Sequence, residues 1–179
     1  MVTEPVERHG NSSKWVRPAT SIIKVNFDAS FGNDKLASFG FVAWDEEGEI
    51  LAAGSLYPTV VPTSTMAEAL CLRWVMEISS QLVFRRVQFE TDSFQLYYAW
   101  KKGTGSSVLF SVIHDCMSFV GLFDFVNLSF VRRQGNNCAD YMARNASTLS
   151  DVIWAEEGPR VCMAFYRRIF WLQCQFDLI

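Results

Sequence analysis

The sequence predicts an α/β fold: a mixed five-stranded sheet flanked by helices, in the order βββαβααβα. Three observations carry this expectation. The first part of the chain holds three apolar-alternating runs separated only by turn signals. From Ser64 onward, stretches of helical periodicity alternate with short β-rich runs. Strands joined through helices run parallel with right-handed crossovers, so the later strands should pair in parallel beside the opening meander. Half of the 179 residues are hydrophobic and 15 are Phe, enough for the core of one domain. That domain is expected over residues 21–148, between a polar tail (1–20) and an extension (149–179).

The first strand spans residues 22–28, where Ile23, Val25 and Phe27 alternate with Lys24, Asn26 and Asp28. Asn33-Asp34 makes a turn, Ala37 to Asp45 a second strand, and Glu46-Glu47-Gly48 a tight turn into a third strand, Glu49 to Leu56. Pro58 and Pro62 then break the chain. Ser64 or Thr65 caps a helix that runs to about Ser80. Val87 to Thr91 is the fourth strand. Ser93 to Lys102 is helical and stops at Gly103-Thr104-Gly105, and a further helix runs from Ser107 to about Val120. Phe125 to Val131 is the fifth strand, and the last helix runs from Cys138 to about Ala146.

Composition excludes several classes. The net charge of −3 gives no bulk basicity, although basic pairs stand at Arg85-Arg86, Lys101-Lys102, Arg132-Arg133 and Arg167-Arg168. Five Cys without CxxC spacing read as reduced thiols of an intracellular protein, with nucleus or cytoplasm unresolved. An acid and a proline near the N-terminus argue against a secretory signal. Arg167, Arg168 and Asp177 interrupt the apolar stretch from Val161 to Ile179, so no membrane span is expected. The aromatics of that extension, among them Phe165, Phe170 and Trp171, imply a helix over 159–179 packed on the domain or on a protein partner.

Four acids stand out: Asp28, Glu68, Asp92 and Asp140. Asp28 and Asp92 end two alternating runs, so on neighbouring parallel strands they share one face at the C-terminal edge, where ligands collect. Glu68 shares an apolar stripe with Cys71, Leu72 and Val75 at helical spacing. Asp140 borders the packing stripe of Ala139, Met142, Ala143 and Ala146. Each has a local alternative: an Asx turn for Asp28, a helix N-cap for Asp92, a capping box with Asn137 for Asp140. Neither a cap nor a turn accounts for Glu68. Unpaired buried carboxylates are costly, and a shared divalent cation offsets that cost.

The run Lys24-Val25-Asn26-Phe27-Asp28-Ala29-Ser30, the triplet Ala67-Glu68-Ala69, the turn Glu90-Thr91-Asp92-Ser93 and the run Asn136-Asn137-Cys138-Ala139-Asp140 resemble type 1 ribonuclease H. The chain is most similar to the ribonuclease H-like domains of plants that are related to non-LTR retrotransposon polyproteins, with a similar Trp15…Pro18 lead-in; the resemblance covers about residues 15–148. It implies a ribonuclease H-like fold and hydrolysis of the RNA strand of RNA–DNA hybrids. It implies that Asp28, Glu68, Asp92 and Asp140 are catalytic and hold two Mg²⁺ ions, with Mn²⁺ as substitute and Asp28 between them. Ser64 and Thr65 occupy the place where the family reads the hybrid, and Arg132 or Arg133 would hold a phosphate.

The chain departs from the family pattern in its loops. The loop Val131-Arg132-Arg133-Gln134-Gly135-Asn136 has no histidine, and His9 and His114 lie elsewhere. The hybrid-binding turn after the first strand is thin in glycine, and no basic protrusion is present apart from Lys101-Lys102. These departures leave an alternative open: a domesticated nucleic-acid-binding or interaction module with the fold and little or no turnover. Related nucleases fit less well. An editing exonuclease needs Asp-x-Glu where this chain has Asp28-Ala29-Ser30, and an integrase-like enzyme places its Glu last.

Overall fold

The computed structural model describes residues 15–103, 106–146 and 152–155. Strands β1 (Ile23–Phe31), β2 (Leu36–Trp44) and β3 (Ile50–Val60) form an antiparallel meander. Then follow α1 (Ser64–Gln81), β4 (Arg86–Thr91), α2 (Phe94–Lys102), α3 (Ser107–Phe119), β5 (Phe125–Phe130) and α4 (Asn137–Arg144). Short 3₁₀ turns at Val120–Leu122 and Arg133–Gly135 lead into β5 and α4. Both β4 and β5 join in parallel, on the side of β1 away from β2. The five expected strands and their pairing are therefore present.

A sixth strand, β6 (Val152–Ala155), adds antiparallel to β3, giving the order β5-β4-β1-β2-β3-β6. It comes from the 149–179 extension, expected to be helical. Residues 152–155 instead satisfy the open backbone edge of β3, which a helix cannot do. The helix expected over 159–179 lies outside the described residues. Pro58 does not end β3 either. The β2–β3 register slips by one residue between Ala37↔Thr59 and Phe39↔Leu56, and Pro58, with no N–H to donate, falls in that irregularity.

Local chemistry sets the element ends. Thr63 caps α1, accepting from the Met66 N–H at 3.2 Å, so the cap lies one residue before the expected Ser64 or Thr65. Ser93 caps α2 and Ser106 caps α3 in the same way. Gly103 closes α2 in the left-handed region at φ 61°. The β2–β3 turn is tied by Asp45, whose side chain accepts from the N–H groups of Glu47 and Glu49 at 3.0 and 2.8 Å.

Alternation along β1 builds two layers. Val25 and Phe27 face a core completed by Leu72, Val75 and Met76 of α1, Phe89 of β4 and Cys116 of α3. Lys24, Asn26 and Asp28 face the other layer, where α4 packs on β1 and β2. The helix lies very close to the sheet, because a Cβ at Gly40 would stand 2.2 Å from the Ala143 nitrogen and 2.7 Å from the Ala139 carbonyl oxygen. Ser38, also on β2, donates to the Ala143 carbonyl at 2.7 Å. Both obstructing atoms at Gly40 are helix backbone, so no rotamer change relieves them. Gly40→Ala should therefore destabilise the protein by about 3 kcal/mol, read from urea denaturation. Gly121→Ala, with nothing within 4 Å of the added carbon, should leave the midpoint nearly unchanged.

Candidate metal centre

Register brings the first two acids together. Lys24 pairs with Gln88 and Asn26 with Glu90 in the parallel β1–β4 ladder. The same offset sets Asp28 opposite Asp92, just past the end of that ladder. Glu68 arrives from the buried face of α1. Ligand oxygens of Asp28, Glu68 and Asp92 all lie within 4.8 Å of one another. Asp28 and Glu68 are buried and Asp92 half-buried. The Asx turn, the N-cap and the capping box all fail, whereas Asp140 does lie in the first turn of α4, where the helix dipole favours an acid. Asp28 sits inside β1, the cap of α2 is Ser93, and the α4 cap residue, Asn136, makes no side-chain capping bond.

The electrostatics of this trio are unfavourable by themselves. Two full negative charges about 5 Å apart repel by about 3–4 kcal/mol at an effective dielectric constant of about 20. Burial, then the charges of Asp92 and Asp140, push the Asp28 carboxyl up to about 8. Glu68 is held well above the usual carboxylate range by burial first and by Asp28 and Asp92 next, partly offset by the Ala29 N–H. Its Oε2 is buried without any hydrogen-bond partner. Among the described residues, no lysine or arginine pairs with any of the three. An orphaned buried oxygen amid carboxylates fits a hard divalent cation that takes oxygen ligands. Cys71, just behind, donates to the Asp28 carbonyl at 3.3 Å. Burial raises its thiol, so it offers no thiolate to a softer metal.

Asp140 borders the trio, within side-chain hydrogen-bonding reach of Asp28. It is near enough for its charge to raise Asp28, yet its Oδ1 meets Arg144 Nε at 2.9 Å and Arg133 Nη2 at 3.4 Å. Arg144, one helical turn beyond Asp140, was not singled out by the sequence reading. Its i,i+4 spacing from an acid was the available signal. Arg132 and Arg133 are exposed at the loop before α4. Ser64 is exposed at the first turn of α1. Thr65, half-buried, donates to Gln95 Oε1 at 3.2 Å.

A buried polar network behind the acids was also missed. Lys24 pairs with Glu90 at 3.0 Å, with side chains only 5% and 9% exposed. Asn26 donates to Glu90 at 3.1 Å and to Asn136 at 3.2 Å, and accepts from Trp15 at 3.1 Å. Asn136 in turn donates to the Phe27 carbonyl at 2.9 Å. Trp15, which the sequence reading placed in the tail, thus closes the back of the site and stacks near Trp44 at 5.0 Å between ring centres. Two of the thiols expected to be reduced, Cys71 and Cys116, are free and buried, and Cys162 and Cys174 lie outside the described residues.

Sheet order, crossing helices and acids at the parallel strand ends define a ribonuclease H-like domain. The chain belongs to the reverse transcriptase-like family, whose model matches residues 26–146. Among solved structures it is similar to ribonuclease H1 of the archaeon Halobacterium salinarum (TM-score 0.66, 21% identity, covering 72% of this chain and 99% of that one). It is also similar to the N-terminal ribonuclease H domain of a Mycobacterium tuberculosis protein (0.65, 18%, 72% and 94%). A third is LC11 ribonuclease H1, solved with an RNA/DNA hybrid (0.59, 18%, 72% and 99%). No curated protein matches the chain. Among the described residues, no helix is long and apolar enough to cross a membrane.

The raised carboxyls fix a pH dependence. A carboxyl whose folded pKa lies above its unfolded value binds more protons when folded, so its stabilisation is complete below the unfolded pKa and is lost as pH rises. For Asp28 that window runs from 3.8 to about 8. In chelator, thermal melts should show falling stability across it. Asp28→Asn should flatten the slope and raise Tm at pH 8, by about 2–4 °C for each kcal/mol recovered. Mn²⁺ at a hundred times its dissociation constant should stabilise the wild type by about 2.7 kcal/mol and the variant much less. A wild type that melts identically with and without Mn²⁺ would refute the metal centre.

Proposed function

We propose that this chain is a divalent-cation-dependent endonuclease that hydrolyses the RNA strand of RNA–DNA hybrids. The observation that carries the reading is the trio of mutually close, largely buried carboxylates without an internal cation. Asp28, Glu68, Asp92 and Asp140 would hold two Mg²⁺ ions, with Mn²⁺ as substitute. When bound, such ions act as Lewis acids on a phosphoryl group and lower the pKa of an attacking water. The chain's own residues do the rest. The strand ends fix the carboxylates, Glu90 and Lys24 neutralise one another behind them, and Asn136 ties the α4 approach to β1. Ser64 and Thr65, at the exposed start of α1, would meet the hybrid and its 2′-hydroxyls. Arg132 and Arg133 would take backbone phosphates.

The resemblance of the Trp15…Pro18 lead-in supports assignment to the plant, retrotransposon-derived kind, and we place its action inside the cell. A second reading, a binding or interaction module without turnover, is favoured by one observation. Asp140 is neutralised by arginines, and the loop that holds Arg133 has no histidine.

Cleavage of an end-labelled hybrid separates the two. With Mg²⁺ or Mn²⁺ the wild type should cut the RNA strand, while Asp28→Asn and Asp92→Asn should each lower the rate by about a hundredfold or more. A wild type that binds the hybrid and leaves it intact at every Mg²⁺ and Mn²⁺ concentration would establish the module instead.

A further inference from the structure

The sheet edge that carries the acids continues into a surface that the proposed chemistry does not use. All three parallel strands end on this edge. Asp28 lies past the β1–β4 ladder, Asp92 follows β4, and Phe130 ends β5 with Thr91 as its register partner. Phe94 opens α2 only two residues after Asp92. Leu96 and Ala99 bury the inner face of α2, so its outer face should be polar. It carries Phe94 and Tyr98 instead, 59% and 50% exposed, beside a 42% exposed Phe130.

These rings form a group. Phe94 meets Phe130 edge-on at 5.7 Å between ring centres and lies 6.2 Å from Tyr98, while Tyr97 is 6.2 Å from Phe130. Lys101 follows on the same helix face, its ammonium 5.9 Å from the Tyr97 ring centre. An apolar patch with a cationic border, in line with a phosphodiester-cutting site, has the chemistry of a single-strand binder. Rings stack on bases of any sequence and cations track the backbone.

We propose that Phe94, Tyr98 and Phe130 form a stacking platform for unpaired nucleobases of a strand leading into the acid site. This rests on the nuclease reading for its orientation alone, since stacking needs no turnover. The platform lies about two strand spacings, or about 10 Å, from Asp28, so it takes nucleotides just outside the reacting duplex. It would make the chain prefer hybrids that adjoin a single-stranded segment.

The test measures binding without divalent cations, so it stands apart from cleavage. Two hybrids are compared, one blunt and one with an unpaired tail of about six nucleotides, tailed in turn on the RNA and on the DNA strand. Wild-type protein should bind a tailed form more tightly. Phe94→Ala with Tyr98→Ala should weaken that form about tenfold and leave the blunt form unchanged. Phe130→Ala should act in the same direction. Phe110→Ala, which removes an exposed ring from α3, should change neither. Equal affinity of wild type for tailed and blunt hybrids would overturn the proposal, as would equal losses on both or an undiminished tail preference in the variants. An active nuclease that fails this test refutes the platform alone, and an inactive protein that passes refutes the nuclease reading alone.

Discussion

One row of side chains on β1, Lys24, Asn26 and Asp28, sets the terms for the site. All three are polar and buried beneath α4 and the lead-in, so each must be compensated from within or leave a cost in free energy. The compensation weakens along the row. Lys24 has a full counter-charge in Glu90. Asn26 has a complete set of hydrogen-bond partners. Asp28 has only other acids, with Asp92 and Glu68 across from it. Removing one partner of a buried pair is strongly destabilising, so the Lys24–Glu90 pair locks the β1–β4 register. That same register places Asp92 against Asp28. A buried satisfied pair thus enforces an unsatisfied one beside it.

The opposite wall of the site depends on a glycine. Gly40 lies across from Asp28 in the β1–β2 ladder and lets the α4 backbone rest on the sheet. Asn136, the cap residue of α4, spends its side chain on the Phe27 carbonyl instead of on its own helix. The helix loses a capping interaction worth about 1 kcal/mol and gains a fixed attachment to the strand that carries Asp28. Position of the fourth acid is bought at that cost in local helix stability.

Much of this was legible in the sequence. Alternation in Lys24–Asp28 and Gln88–Asp92 placed two acids on one face, and the Cys71, Leu72 and Val75 stripe put Glu68 inward. Those patterns are local, and local periodicity survives folding. What escaped depends on contacts between distant segments. Gly40 reads as an ordinary strand glycine until α4 is laid across it. Residues 152–155 look helical or unstructured until β3 offers an open edge. The Asn26–Asn136 bond spans 110 residues, and nothing near either residue announces it. No local pattern marks the rings at Phe94, Tyr98 and Phe130 as exposed.

The four carboxylates are unequal, and their inequality bears on how the centre holds charge. Asp140 is 20% exposed at its side chain and already meets two guanidinium groups. Asp28 and Glu68 lack such partners, and burial drives both toward the protonated form. A divalent ion therefore has most to gain between Asp28, Glu68 and Asp92, where it replaces protons and relieves repulsion together. At Asp140 it would have to compete with arginines that already supply positive charge. Geometry alone, with four acids near one strand end, suggests a symmetric site. Adding the partners of each acid resolves it into a trio without internal counter-charge and a fourth carboxylate that already faces two arginines.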